Sequence, residues 1–231
     1  MADKPSRALV IYGDGHAPLV HAHLHSFASR ASCGFLSLRA PESENDRVIR
    51  ELSQLLDAYD PTISKRFMDL RAAILTLGFS VLQISELVFE LLKLLGFSGG
   101  DVLEKYEFDL VILHIFLNKL VGGVMHAAQP GSKIACRLHF SIILGYGTVS
   151  ETSSDVLLLR PHQSYTMKSG DIRHHHPMLI AQWQEGVTRQ DTANKFGFEE
   201  FKERGGNFAI LADRFLHEVA FKLWKAPKYG A

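Results

Sequence analysis

The sequence predicts an α/β fold in which helices flank a mainly parallel sheet. Ala8-Leu9-Val10-Ile11-Tyr12 and Phe108-Asp109-Leu110-Val111-Ile112-Leu113-His114-Ile115 are apolar runs of strand length, rich in β-branched residues, as strands buried on both faces are. Between and after them lie stretches whose apolar residues recur at helical spacing, and such alternation is the pattern of βαβ units. The chain of 231 residues suits a single α/β domain with a sizeable core, carrying a helical insertion over about 48–100.

The first strand stops at Gly13-Asp14-Gly15-His16. A strand ending in Gly-Asp-Gly sets a carboxylate at its C-terminal end, the edge where open α/β sheets hold their ligands. Asp14 is therefore a candidate ligand; the alternative is a turn in which it only caps the backbone. His21, His23 and His25 follow at spacing two, ahead of Phe27 and Ala28. Residues at i and i+2 lie on different sides of a helix, so these read at least as well as surface histidines at a helix entrance. Gly34 suits a helix C-terminus before a short strand over Phe35 to Leu38.

Pro41 to Asp46 is a polar connector, and Val48, Ile49, Leu52, Leu55 and Leu56 have the spacing of an amphipathic helix. Phe67, Leu70, Ala73, Ile74 and Leu77 repeat with helical period before Gly78. Ser80 to Leu95 sets Leu82, Ile84, Leu87, Val88, Leu91, Leu92 and Leu95 against Glu86, Glu90 and Lys93, a helix that covers a sheet. In the second strand the polar His114 sits near the C-terminal end, as Asp14 does in the first. In a parallel sheet those ends share an edge, so the two can approach each other.

A helix from near Phe116 to Gln129 breaks at Pro130-Gly131, and a third strand over Phe140 to Leu144 follows His139. Val156 to Leu159 and Met178 to Trp183 read as strands, Phe198 to Arg204 as a helix stopped by Gly205-Gly206-Asn207, and Leu211 to Trp224 as a terminal helix.

Between the last two strands lies the segment richest in chemistry, Ser169-Gly170-Asp171-Ile172-Arg173-His174-His175-His176-Pro177. Imidazole nitrogen and carboxylate oxygen both ligate zinc, manganese and iron, so this loop offers half a metal site. In an extended segment His174 and His176 share one face and His175 takes the other, so at most two of the three aim at a common ion. A solvated histidine loop is the alternative, and a complete site needs partners from elsewhere in the chain.

Lys plus Arg number 25, as do Asp plus Glu, so no basic field favours nucleic acid or an acidic membrane as partner. Hydrophobic content of 46% with 22% charge is that of a folded soluble protein. The apolar run near the N-terminus is too short for a signal-peptide core, and no stretch reaches the roughly 18 apolar residues of a membrane span. Cys33 and Cys136 form neither a framework nor a CxxC pair, which points to reduced thiols and a cytoplasmic location.

Leu9-Val10-Ile11-Tyr12-Gly13-Asp14-Gly15 and Leu24-His25-Ser26-Phe27-Ala28-Ser29-Arg30-Ala31-Ser32-Cys33-Gly34-Phe35, with the strand Phe108 to Ile115 and the block from the histidine loop to Gly205-Gly206-Asn207-Phe208, carry a resemblance. Together they are similar to the archaeal-type, cofactor-independent phosphoglycerate mutases of the alkaline-phosphatase superfamily, and more narrowly to the plant mutase-like proteins of that group, over most of the chain. The resemblance implies a shortened alkaline-phosphatase-like core with a two-metal site, manganese or zinc, at the carboxyl edge of the sheet. A serine or threonine would take the phosphoryl group of 3-phosphoglycerate and return it to the neighbouring hydroxyl. Asp14, Asp171 and one or more of His174, His175 and His176 would be metal ligands, with His114 at the same edge, and Arg173 would bind substrate carboxylate or phosphate.

The chain departs from the family pattern in three places. Ala17-Pro18-Leu19 has no hydroxyl where the family carries its nucleophile, and Ser26 is the nearest alternative. His114-Ile115-Phe116-Leu117-Asn118-Lys119 has no acid where the family has a metal motif, and the chain is shorter than a full mutase. A phosphorylated small molecule is thus the expected ligand of an active protein. A non-catalytic relative meeting a protein partner through its sheet edge or amphipathic helices is the alternative.

Overall fold

The computed structural model describes residues 5–13, 22–38, 47–57, 71–76, 84–114, 118–145, 177–206 and 209–227. In chain order these form β1 (Arg7–Gly13), α1 (Ala22–Ala28), β2 (Ser32–Ser37), α2 (Arg47–Leu55), β3 (Ala72–Thr76), α3 (Ile84–Leu94), β4 (Phe97–Ser98), β5 (Asp101–Val102) and β6 (Leu110–His114). Then come α4 (Asn118–Ala127), α5 (Lys133–Arg137), β7 (Leu138–Leu144), β8 (Met178–Trp183), α6 (Phe198–Arg204), β9 (Ile210–Leu211), a 3-10 turn (Ala212–Arg214) and α7 (Phe215–Lys222).

Seven strands make one sheet in the order β3-β6-β1-β7-β8-β2-β9, and β4 with β5 form a separate two-stranded ribbon. All neighbours in the large sheet run parallel except β8, which is antiparallel to both β7 and β2. The mainly parallel α/β architecture is thus the one the sequence predicts. Every residue of β1 is buried because helices cover both of its faces, which is why it reads as a continuous apolar run.

Leu9 and Ile11 of β1 point into a core shared with α1, α3, α4 and α6, through Leu24, Phe27, Leu91, Leu120, Val124 and Phe201. Ala8, Val10 and Tyr12 point the other way, toward Leu55 of α2 and Phe215, Leu216 and Val219 of α7. On the first face Phe27 meets Phe140 edge to face, ring centroids 5.0 Å apart, an arrangement worth about 1 kcal/mol beyond the area it buries.

The helical period read over Phe67 to Leu77 is overturned where the structure describes it: Ala72–Thr76 is a strand at one edge of the sheet. A short apolar run satisfies either period, and the register is set by a tertiary contact invisible to it. Buried Asp109 accepts from the Arg71 backbone N–H (3.0 Å), from Nε (3.1 Å) and from Nη2 (3.1 Å). The Asp109 N–H donates back to the Arg71 carbonyl (2.7 Å), which fixes Ala72 opposite Leu110. Burial pushes the Asp109 carboxyl up, but the hydrogen bonds from Arg71 and the charge of Lys225 outweigh it and hold the group below its usual range.

The helices of the sequence reading recur as α2, α3, α4, α6 and α7, the last preceded by the 3-10 turn. The strand before the third turn also starts earlier than expected, so that His139 lies inside β7 rather than ahead of it. The strand expected over Val156 to Leu159 lies outside the described residues.

Candidate functional site

The antiparallel direction of β8 decides what meets at the ligand-holding edge. β1, β6 and β7 finish there, at Gly13, His114 and Leu144, with Tyr12 opposite His114 and Gly13 opposite Leu144. Because β8 runs the other way, it begins at that edge: Leu144 pairs with Leu179, and Pro177 leads into the strand beside it. The strand end that precedes Asp14, the end that carries His114 and the strand start that follows the histidine run thus lie along one row. Asp14, Asp171, Arg173, His174, His175 and His176 themselves lie outside the described residues.

At this edge the sequence reading missed a carboxylate. Glu51 of α2 is 1% exposed, and the Tyr12 hydroxyl, itself fully buried, donates to its Oε2. The Gly145 N–H donates to the Gly13 carbonyl (2.8 Å), which brings the Gly145 Cα against this pair. A Cβ there would stand 2.1 Å from Glu51 Oε2 and 3.0 Å from the Tyr12 oxygen, so the close approach requires glycine. Glu51 falls on the apolar side of an amphipathic helix and looks in sequence like one more solvated acid. The available signal was Tyr12, since a phenol ending a fully buried strand needs a polar partner.

Ser26, the expected nucleophile, sits elsewhere. It lies in the last turn of α1, the end of the helix that leads into the start of β2, and hence toward the edge opposite Gly13. Its Oγ accepts from Arg30 Nη2 (3.3 Å), and its carbonyl accepts from Ser29 Oγ (2.9 Å) and Arg30 Nε (3.3 Å). The structure does not bring it to the row of strand ends. Among the described residues no group of three or more His, Cys, Asp and Glu side chains is placed to hold a metal ion. Of the metal ligands that the resemblance implies, Asp14, Asp171, His174, His175 and His176 thus lie beyond the described residues, while His114 ends β6 at that edge, where Glu51 also lies.

A second polar cluster lies under α7, at the starts of the parallel strands. His139 and Ser141 of β7 are fully buried, and Ser141 Oγ is 3.2 Å from His139 Nε2. Gln182 of β8 donates to Ser141 Oγ (3.4 Å) and accepts from Lys222 Nζ (2.7 Å). Burial, then the charge of Lys222, holds His139 well below its ordinary range. Burial likewise lowers Lys222, to about 8, against a smaller opposing pull from Glu218. The cluster joins β7, β8 and α7 through buried hydrogen bonds and reads as structural.

A third anchor is Asp191, whose Oδ2 accepts from the backbone N–H of Cys33 (2.7 Å) and of Gly206 (2.9 Å), and whose Oδ1 accepts from Arg189 Nε. It joins β2 to Gly206, the second residue past the end of α6.

The fold and the edge define a layered α/β protein whose carboxyl edge gathers polar strand ends. No family model matches the chain, and no curated protein matches it. Among solved structures it is similar to the PH0037 protein from Pyrococcus horikoshii, at 13% identity and a TM-score of 0.56, over the full length of both chains. At that identity the likeness is one of fold. Among the described residues no helix is long and apolar enough to cross a membrane.

Proposed function

We propose that the chain is a divalent-metal-binding relative of the cofactor-independent phosphoglycerate mutases, acting on a phosphorylated small molecule at the carboxyl edge of its sheet. The observation that supports this reading is the row of strand ends: antiparallel β8 starts beside the ends of β1, β6 and β7. Pro177, which follows Asp171, His174 and His176 in the chain, therefore lies at the edge where β1 ends just before Asp14 and where β6 ends at His114. Asp14, Asp171, His174 and His176 would hold manganese or zinc, and Arg173 would pair with substrate phosphate or carboxylate. Such an ion, when bound, neutralises charge on a transferred phosphoryl group. Glu51, held by Tyr12, sets a further carboxyl group at the same edge.

A second reading keeps the fold and drops turnover. It is favoured by Ser26, which is engaged by Arg30 away from the edge, and by the absence of a hydroxyl in Ala17-Pro18-Leu19. The two are separated by incubating the purified chain with 3-phosphoglycerate and manganese and following 2-phosphoglycerate by phosphorus NMR. Turnover abolished by Asp14→Ala and retained by Ser26→Ala supports an active enzyme with a nucleophile other than Ser26. No turnover in any divalent metal, from a folded chain, leaves the non-catalytic relative.

A further inference from the structure

A cleft of about 260 Å³ opens between α1 and α4, lined by His23, Ser26, Arg30, Met125, His126 and Gln129, with Gly122 at its floor. We infer that this cleft is a binding site for a small phosphorylated molecule, separate from the sheet edge and independent of the metal reading given above.

Its walls are held by the fold. Asn118, the first residue of α4, accepts from the backbone N–H groups of His23 (3.1 Å) and Leu24 (3.3 Å), which fixes the two helices side by side. His23 then lies flat against α4, because Gly122 has no side chain; a Cβ there would fall 2.8 Å from the imidazole ring atoms. Arg30 is drawn over the cleft by its two hydrogen bonds to Ser26, at 3.3 Å each. Of the five N–H donors a guanidinium carries, these use only Nε and one on Nη2, so Nη1 is left for a ligand.

The chemistry of the lining selects the ligand. Gln129 Nε2 stands 3.4 Å from His126 Nδ1, so an amide and an imidazole are presented together. The described lining residues comprise one permanent cation, two imidazoles, a hydroxyl and an amide, and among them there is no carboxylate. Among the described residues no acid pairs with Arg30. A cation left without its counter-ion among donors suits an oxyanion, and a guanidinium fork matches phosphate. Met125, which is buried, and Pro130 give the cleft an apolar side for a short carbon body. The volume holds about eight or nine waters, enough for a phosphomonoester of a few carbons. Ser26 is then a ligand contact.

The test is a titration of the full chain with inorganic phosphate, and in parallel with acetate, at constant ionic strength set by chloride. Backbone amide shifts of Gly122 and Gly123 and the Arg30 side-chain Nε–H are read by NMR. Saturable shifts with phosphate that weaken about tenfold or more in Arg30→Gln, and that persist in Asp14→Ala, bear the proposal out. Weaker saturation with acetate than with phosphate identifies phosphate as the preferred oxyanion, and equal saturation overturns the phosphate assignment. Absence of saturation, shifts that chloride reproduces, or an Arg30→Gln variant that binds as the wild type would overturn the site. Failure of metal binding at the sheet edge leaves these readouts untouched.

Discussion

Lys222 offers the most quantitative test of the packing under α7. Holding its ammonium near 8 when its ordinary value is 10.5 means that the folded state disfavours the charged form. Fully expressed, the penalty at neutral pH is about 3 kcal/mol; since the side chain is only part-buried, about 2 kcal/mol is the working figure. The sign follows from proton counts. Between about pH 8 and 10.5 the unfolded chain holds this proton and the folded chain does not, so stability rises with pH across that window and is lost as pH falls through it. Lys222→Met lacks the titration. Urea unfolding of both proteins from about pH 7.5 to about pH 10 should show the wild type gaining about 2 kcal/mol on the variant. Stability curves that stay parallel over that range would refute the reasoning and return Lys222 to solvent.

The same cluster acts at acid pH: His139 is held low by burial and by Lys222, so its contribution is present above the ordinary imidazole range and is lost as pH falls toward the folded value. His139→Gln should flatten the acid limb of the stability curve. Asp191→Ala leaves the backbone N–H groups of Cys33 and Gly206 without their acceptor and should cost about 2–5 kcal/mol in urea unfolding, with Asp191→Asn intermediate. Gly145→Ala forces a methyl onto Glu51 and Tyr12 and should cost about 1–3 kcal/mol; Glu51→Ala made in the same chain should recover part of that loss, and additive effects would break the argument. Cys33 is buried, and burial with the nearby Asp191 carboxylate pushes its thiol far up. A disulfide reagent should therefore modify Cys136 first and reach Cys33 only on unfolding.

The sequence was most legible where burial is symmetric. β1 and β6 announced themselves because a strand covered on both faces has no polar positions to confuse its period, and β8 and α6 were read to their observed bounds from Pro177, Trp183 and Gly205. β3 was not legible, because Ala72 to Thr76 is short and apolar and its strand register depends on Arg71 meeting Asp109, a contact across 38 residues. The direction of β8 was hidden as well, since alternation within six residues carries no sense of parallel or antiparallel. Yet that direction is what brings the histidine loop's exit to the edge that Asp14 and His114 had already marked. Glu51 and His139 were missed for the same reason in two guises. Each is a titratable side chain whose burial comes from elements distant in sequence, and neither helix nor strand periodicity encodes it.

The measurement that bears most directly on the row of strand ends is the metal content of the purified protein, by elemental analysis, for wild type, Asp14→Ala and His174→Ala/His176→Ala. The account predicts stoichiometric manganese or zinc in the wild type, lost in both variants while the far-ultraviolet circular dichroism stays unchanged. A folded wild type that remains metal-free after incubation with manganese and zinc would contradict it.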